Sequence, residues 1–342
     1  MSPPGDSWGR RLAPWSLLLM AILWGSTFFS IKALVTRLAV ADFLAVRFLI
    51  STLVLLAVFH RQLRMRRRTA AHGIVLGLIW AGAQLVQTTG LEQTSASISG
   101  FLTGLYVVFT PLLSFAINRA RPNRWVWLAV VLAAIGLAAL TIRPGSHGLG
   151  FGEWLTIACA LLFALHIICL GRWTSPHEAA SLTLVQAITM TVVFFAFAIP
   201  GGISLPASAV DWLWMIYLAV FCGALTLLLQ TWAQAHVEPS KAAVIMCSEP
   251  LWATFFAIAF GGEHPTLAFA GGALAILAAM FLVIRPPIGA PHVRSGPALS
   301  PVPPPGSTGR SETRQLSSDD LPNTPEKTAV WATTLLDSPA ER

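Results

Sequence analysis

Apolar runs of about twenty residues recur along this chain between Trp15 and Ile284, separated by short polar or basic connections. A helix of that length matches the roughly 30 Å hydrocarbon core of a bilayer. Without water to satisfy backbone groups there, such runs must be helical and must pack on one another. Composition agrees: the 342 residues are 55% hydrophobic and only 11% charged, against roughly 25% charged in a soluble domain. The net charge of +7 comes from basic residues placed between the apolar runs, so it marks membrane topology and gives no reason to expect a nucleic-acid partner.

Ten spans are predicted, at residues 15–35, 43–59, 72–91, 96–117, 125–142, 153–170, 179–199, 212–233, within 237–260, and 267–284. The first apolar run is too long for a signal-peptide core, so no cleaved leader is expected. The basic linker 60–68, together with Arg10, Arg11, Arg119 and Arg124, falls on one side, whereas little beyond Arg37 and Arg143 falls on the other. The positive-inside bias then places both termini in the cytoplasm. After Pro286 the chain is rich in Pro, Ser, Thr and Gly, and reads as a disordered tail whose apolar run 330–336 is idle.

A weak internal repeat is present. Shifting the numbering by 143 lays Gln87–Thr88 on Gln230–Thr231, Ser97 on Ser240 and Tyr106 on Glu249, while a shift of 139 pairs Arg47 with Gln186. Five spans per unit is odd, so the second copy must insert upside down, the arrangement associated with alternating access. The fold class expected is an all-α polytopic membrane protein, with ten transmembrane helices in two inverted five-helix repeats.

Glu249 and Pro250 interrupt the ninth span. A carboxylate in hydrocarbon is costly and proline removes a backbone hydrogen bond beside it, so the pair requires a polar cavity or a protein partner. Cys159, Cys169, Cys222 and Cys247 all lie within apolar segments with no metal-binding spacing, and are read as buried free thiols. Gly25, Gly77, Gly100 and Gly104 lack the setting of a nucleotide-binding loop, so no cofactor and no ATP hydrolysis are expected.

The layout resembles the EamA-domain proteins of the drug/metabolite transporter superfamily. The resemblance is carried by ILWGSTFFSIKAL in span one, Arg47 in span two, TSASISGFLTGLYVVFTPLLSF in span four and VEPSKAAVIMCSEPLWATFFA in span nine. Span four has Tyr106–Val107 where many family repeats have a proline, which predicts a less easily kinked helix. The resemblance implies EamA-like repeats at 15–143 and 148–285; outside it, the charge bias leaves a cytoplasmic segment 1–14 and a disordered cytoplasmic tail 286–342. It also implies a secondary transporter of a small polar or amphipathic metabolite, such as an amino acid or derivative, with export favoured, in a bacterial plasma (inner) membrane. The expected partners are that solute, membrane lipid and, in one version, a coupling proton or ion. A membrane receptor or scaffold, or an intramembrane enzyme, is the alternative; no reactive constellation supports the enzyme.

The candidate solute-binding residues follow from chemistry within the spans. Gln84 and Gln87 share a helix face, and Gln230 and Gln234 are one turn apart. Amides recognise polar solutes without burying a charge, and also make plain helix–helix hydrogen bonds. Trp24, Trp80, Tyr106 and Trp252 are positioned to wall a cavity or to pack on neighbours, and Thr103 flanks Tyr106. His166 offers a titratable group. Glu249 is the carboxylate of the set. Arg47 is placed near the outer end of span two, where snorkelling to the interface is the default, with lipid phosphate, Asp42 or a solute carboxylate as its partner.

Overall fold

The computed structural model describes residues 5–63, 65–94, 96–119, 123–141, 150–261 and 267–284. These all belong to one compact unit, Met1–Ile288; the expected tail lies outside the described residues. The regular structure among the described residues is helical: α1 (Gly5–Gly25), α2 (Thr27–Val35), α3 (Val40–Phe59), α4 (Arg67–Gln93), α5 (Ala96–Gly104), α6 (Tyr106–Asn118) and α7 (Arg124–Thr141), followed by α8 (Phe151–Trp173), α9 (Ala179–Ala198), α10 (Ala209–Ala219), α11 (Thr226–Gln234), α12 (Pro239–Met246), α13 (Glu249–Gly261) and α14 (Leu267–Ile284).

Six helical segments among the described residues are long and apolar enough to cross a membrane: Trp8–Val35, Val40–Gln62, Arg67–Gln93, Phe151–Trp173, Ala179–Gly201 and Ala209–Gln234. Length alone therefore identifies six spans where the sequence predicts ten. The fourth and ninth predicted spans are each split into two short helices, α5–α6 and α12–α13, and the fifth and tenth correspond to the 18-residue helices α7 and α14. The protein is an all-α polytopic membrane protein. Leu53, Val131, Ile135, Val192 and Phe197 are exposed on its outside, as a surface facing lipid requires. Met20, Phe43, Tyr106, Phe194 and Cys222 belong to one continuous core. All four cysteines are free thiols.

The break in span four contradicts the expectation that Tyr106–Val107 leaves it hard to kink. At Leu105 the ladder tightens, with Leu105 N–H donating to the Leu102 carbonyl at 3.2 Å and Val108 N–H to that of Leu105 at 2.9 Å. Gly104 is a poor helix former, and Pro111 lacks the N–H that would bond to Val107. Span nine breaks similarly, Ser248 N–H reaching back to Ile245 at 3.2 Å just before Pro250 in the first turn of α13, where proline is tolerated.

Element boundaries recur at fixed offsets. A shift of 143 carries Tyr106 and Asn118 onto Glu249 and Gly261, the bounds of α13, and carries Arg124 and Thr141 onto Leu267 and Ile284, the bounds of α14. A shift of 139 carries Val40 and Phe59 onto Ala179 and Ala198, the bounds of α9. Packing follows the same correspondence. Helix α3 lies on α9 and α7 on α14, while α1 meets α11, α12 and α13 as α8 meets α4, α5 and α6.

Glycine allows the closest crossings. A Cβ on Gly77 would come 2.9 Å from the Gln186 carbonyl of α9, and one on Gly136 would come 2.8 Å from that of Gly272 in α14. At the start of α9, Glu178 accepts from Thr69 Oγ1 (2.8 Å) and Ser175 Oγ (3.1 Å). The Thr69 hydroxyl foremost, then Ser175 and nearby Arg66, hold the Glu178 carboxyl below its usual range. A lowered carboxyl value gives stability that is present above the unfolded-state value and is lost as pH falls through the folded one. A small loss of thermal stability on acidification through the carboxylate range is therefore expected to flatten in Thr69→Val. Melting curves of the purified protein across that range check it.

Candidate functional site

A cavity of about 610 Å³, including its open mouth, lies where the broken helices meet the long ones. Trp24, Phe28 and Ile31 of α1–α2 form one wall, Gln84 and Gln87 of α4 another. Thr103 and Tyr106 flank the α5–α6 break, Met246 and Glu249 flank the α12–α13 break, and all four line the same space. Phe163, Ile167, Gln230 and Arg47 complete it. Centres of water-sized molecules reach only about 40 Å³ of this volume, which suits a few waters. A solute of many atoms requires the side chains or the broken helices to move.

Seven sequence candidates are brought together here: Trp24, Gln84, Gln87, Thr103, Tyr106, Gln230 and Glu249. Gln87 Nε2 donates to Thr103 Oγ1 at 3.1 Å, tying α4 to α5. Glu249 is buried, and no hydrogen bond or ion pair reaches its side chain among the described residues. The Tyr106 hydroxyl and Gln230 Oε1 are also buried without a partner among the described residues. Orphaned polar atoms around one cavity are groups that water or a ligand must satisfy.

The other four candidates are not part of the cavity wall. Trp80 stands edge-on to Trp24, with ring centroids 5.6 Å apart, and backs it as a second aromatic layer. His166 packs under Trp80 at 4.5 Å and shares a 2.9 Å hydrogen bond with Gln186 Oε1. Gln234 accepts from Gln230 at 3.1 Å and donates to the Ile167 carbonyl at 3.2 Å. Trp252 packs beside Phe255, outside the cavity.

Arg47 departs from its predicted place. Its side chain is buried in protein and does not snorkel to the surface, and it is not paired with Asp42, which accepts from Ser204 N–H at 3.0 Å. It is 4% exposed and lines the cavity. The cause lies across the helix interface. Between α10 and α11 the chain winds as a π-helix, Val220–Leu225, which turns carbonyls away from the regular ladder. Arg47 Nε donates to Leu218 O (3.3 Å) and Nη2 to Cys222 O (3.1 Å), while Ser51 Oγ donates to Ala219 O (2.7 Å). Trp24 Nε1 donates to the Thr226 hydroxyl at 3.0 Å and to Cys222 O at 3.3 Å. Sequence reasoning did not place Phe28 or Met246 in a site, and for Arg47 it offered a solute carboxylate only beside lipid phosphate and Asp42, with snorkelling as the default. The signal available for Arg47 was Ser51 one turn later, a second polar group on the same face of an apolar span.

A helical membrane protein with a polar, partly unsatisfied cavity between broken helices has the form of a carrier of small solutes. Residues 12–142 and 150–285 each match the EamA-like transporter family, and the chain belongs to that family. It is therefore a transporter of small solutes and not an enzyme. It is similar to an uncharacterized transporter of Archaeoglobus fulgidus, 28% identical over 80% of this chain and 86% of that one. It is 24% identical to a probable terminal-alkyne amino-acid exporter of Streptantibioticus cattleyicolor, over 79% of this chain and 93% of that one. It is 26% identical to the uncharacterized inner membrane transporter YedA of Escherichia coli K12, over 74% and 85%. A solved crystal structure superposes with a TM-score of 0.66 over 79% of this chain and 95% of its own, at 18% identity, a likeness of fold alone.

Proposed function

We propose that this protein is a secondary transporter that carries a small amino-acid-like solute through the described cavity by alternating access, with export its physiological direction. The observation that carries this reading is Glu249: a buried carboxylate without a partner among the described residues, at a helix break, facing a cavity of unsatisfied polar groups. It suits an ammonium group, while Phe28, Ile31, Phe163 and Met246 suit an apolar side chain. The amino-acid exporter among the relatives supports the same solute class.

In this reading ten helices form two inverted repeats, spanning 15–143 and 148–285, with both termini cytoplasmic in a bacterial inner membrane. The recurring element bounds, the matched packing of the two halves and the twofold family match support it. Thr27, Ile31 and Leu91 then lie toward the outside, so the cavity faces outward. The Gln230–Gln234–Ile167 and His166–Gln186 hydrogen bonds close the inner end.

Counterflow in sealed proteoliposomes tests the reading. Vesicles loaded with unlabelled leucine should accumulate labelled leucine, and Thr27→Cys and Gln234→Cys should change their thiol reactivity in opposite senses when leucine is added. Binding without redistribution would make the protein a receptor or scaffold. Reactivities that stay equal under all conditions would rule out alternating access.

A further inference from the structure

Arg47 carries a charge that nothing described around it neutralises. Guanidinium stays protonated in proteins, Arg47 is almost wholly buried, and it has no ion-pair partner among the described residues. Burying a lone cation in a membrane protein is costly, and such residues face a cavity and meet a counter-charge there. Here the charge is held by neutral groups only. The Leu218 and Cys222 carbonyls accept from it, and the Phe43 and Phe48 rings lie 5.8 and 5.3 Å from its central carbon. These contacts orient the guanidinium and leave its charge uncompensated.

The donor inventory shows what remains. Arginine has five N–H donors in a fixed fork. Nε and one hydrogen of Nη2 are taken by carbonyls. Both hydrogens of Nη1 and the second of Nη2 have no acceptor among the described residues, and these include the end-on pair that fits two carboxylate oxygens. The side chain lines the same cavity as Glu249, yet the two form no ion pair with each other among the described residues. The cavity thus offers a separated cationic and anionic point.

We propose that Arg47 is the anion-recognition residue of this transporter: its end-on fork holds the carboxylate of the solute, so that the substrate class is a carboxylate-bearing zwitterion. The proposal rests on the transport reading above and deepens it. It also assigns a role to the π-helix. The Cys222 carbonyl within that turn and the Leu218 carbonyl just before it, in α10, hold the guanidinium before solute arrives, which limits the reorganisation needed on binding.

Three probes of one carbon skeleton test this: leucine, leucinamide, which lacks the carboxylate, and 4-methylpentanoate, which lacks the amine. Thermal stabilisation of the purified protein and inhibition of leucine counterflow are measured for each. Wild type should prefer leucine to leucinamide by about tenfold to a hundredfold, the range for a hydrogen bond to a charged group. Arg47→Gln should abolish that preference while keeping the preference for leucine over 4-methylpentanoate, and Arg47→Lys should fall between. The wild-type series needs no variant and can overturn the proposal even if Arg47→Gln fails to fold, in which case a preference weakened in Arg47→Lys carries the assignment to Arg47 and an unweakened one overturns it. Equal responses to leucine and leucinamide, with leucine still transported, overturn the Arg47 assignment and leave the transport reading standing. No response to any probe in wild type overturns the zwitterion assignment and the amino-acid reading together.

Discussion

Glu249→Ala is expected to lower solute turnover by about a hundredfold while the protein stays inserted and folded. The separation of the two effects follows from the geometry. No hydrogen bond or ion pair reaches this carboxylate among the described residues, so its removal orphans no donor elsewhere. Replacing a buried ionisable group with a neutral one is often neutral or stabilising. The melting temperature should therefore hold or rise as activity falls, which is the opposite of what a structural carboxylate would show. Glu249→Gln separates charge from hydrogen bonding. If it keeps solute binding but loses dependence on an imposed proton gradient, Glu249 carries a proton. If it loses binding with proton movement intact, Glu249 recognises the solute. Pro250 follows directly and sits in the first turn of α13, so melting and membrane insertion are measured beside transport. Unchanged turnover, affinity and ion dependence in both variants would remove Glu249 from the mechanism.

Gly25→Ala is the second large effect expected, and it acts through packing. A Cβ at Gly25 would come 2.6 Å from Trp252 Cβ and 2.9 Å from both Ala253 N and the Glu249 carbonyl. Two of these atoms are backbone of α13, which cannot swing aside as a side-chain end does. Helices α1 and α13 must separate, at a cost of about 1–3 kcal/mol, and the cavity wall at Trp24 and Glu249 moves with them. Gly82→Ala is the matched control, because the nearest atom there is Leu162 Cδ1 at 3.8 Å, an ordinary contact. Gly82→Ala should be neutral or slightly stabilising, since alanine is the better helix former. Thermal melts of both variants in detergent, with counterflow in vesicles, check the contrast. Equal behaviour of the two would show that the α1–α13 crossing tolerates the added carbon.

Much of the architecture is legible in the amino-acid order. The apolar runs identify a membrane protein, because the bilayer demands long unbroken stretches of low polarity. Glu249 with Pro250 stands out in such a stretch, and Gln84, Gln87 and Gln230 stand out as amides within spans; all of these but the proline line the cavity. The helix break at Pro250 is likewise a local consequence of a missing N–H. The break at Leu105 is less legible, since no proline occupies it and Gly104 and Pro111 act together from either side.

What the order alone cannot assign is which side of each helix faces which neighbour. A soluble helix advertises its buried face by polarity, but a span is apolar toward lipid and toward protein alike, so periodicity loses its contrast. His166 and Gln186 are 20 residues apart and meet only because α8 and α9 both pack on α4 and α11, whereas Gln234 and Ile167 meet across 67. Arg47 shows the same limit most sharply. Its position in span two suggests the interface, and only the carbonyls of Leu218 at the end of α10 and Cys222 in the π-helix, 171 and 175 residues further along, hold it inside. Chain order determined the membrane class, the apolar helical segments and the break at Pro250. Tertiary packing decided which polar side chains satisfy each other and which are left facing the cavity, because only the helix crossings bring donors and acceptors from distant spans within hydrogen-bonding range.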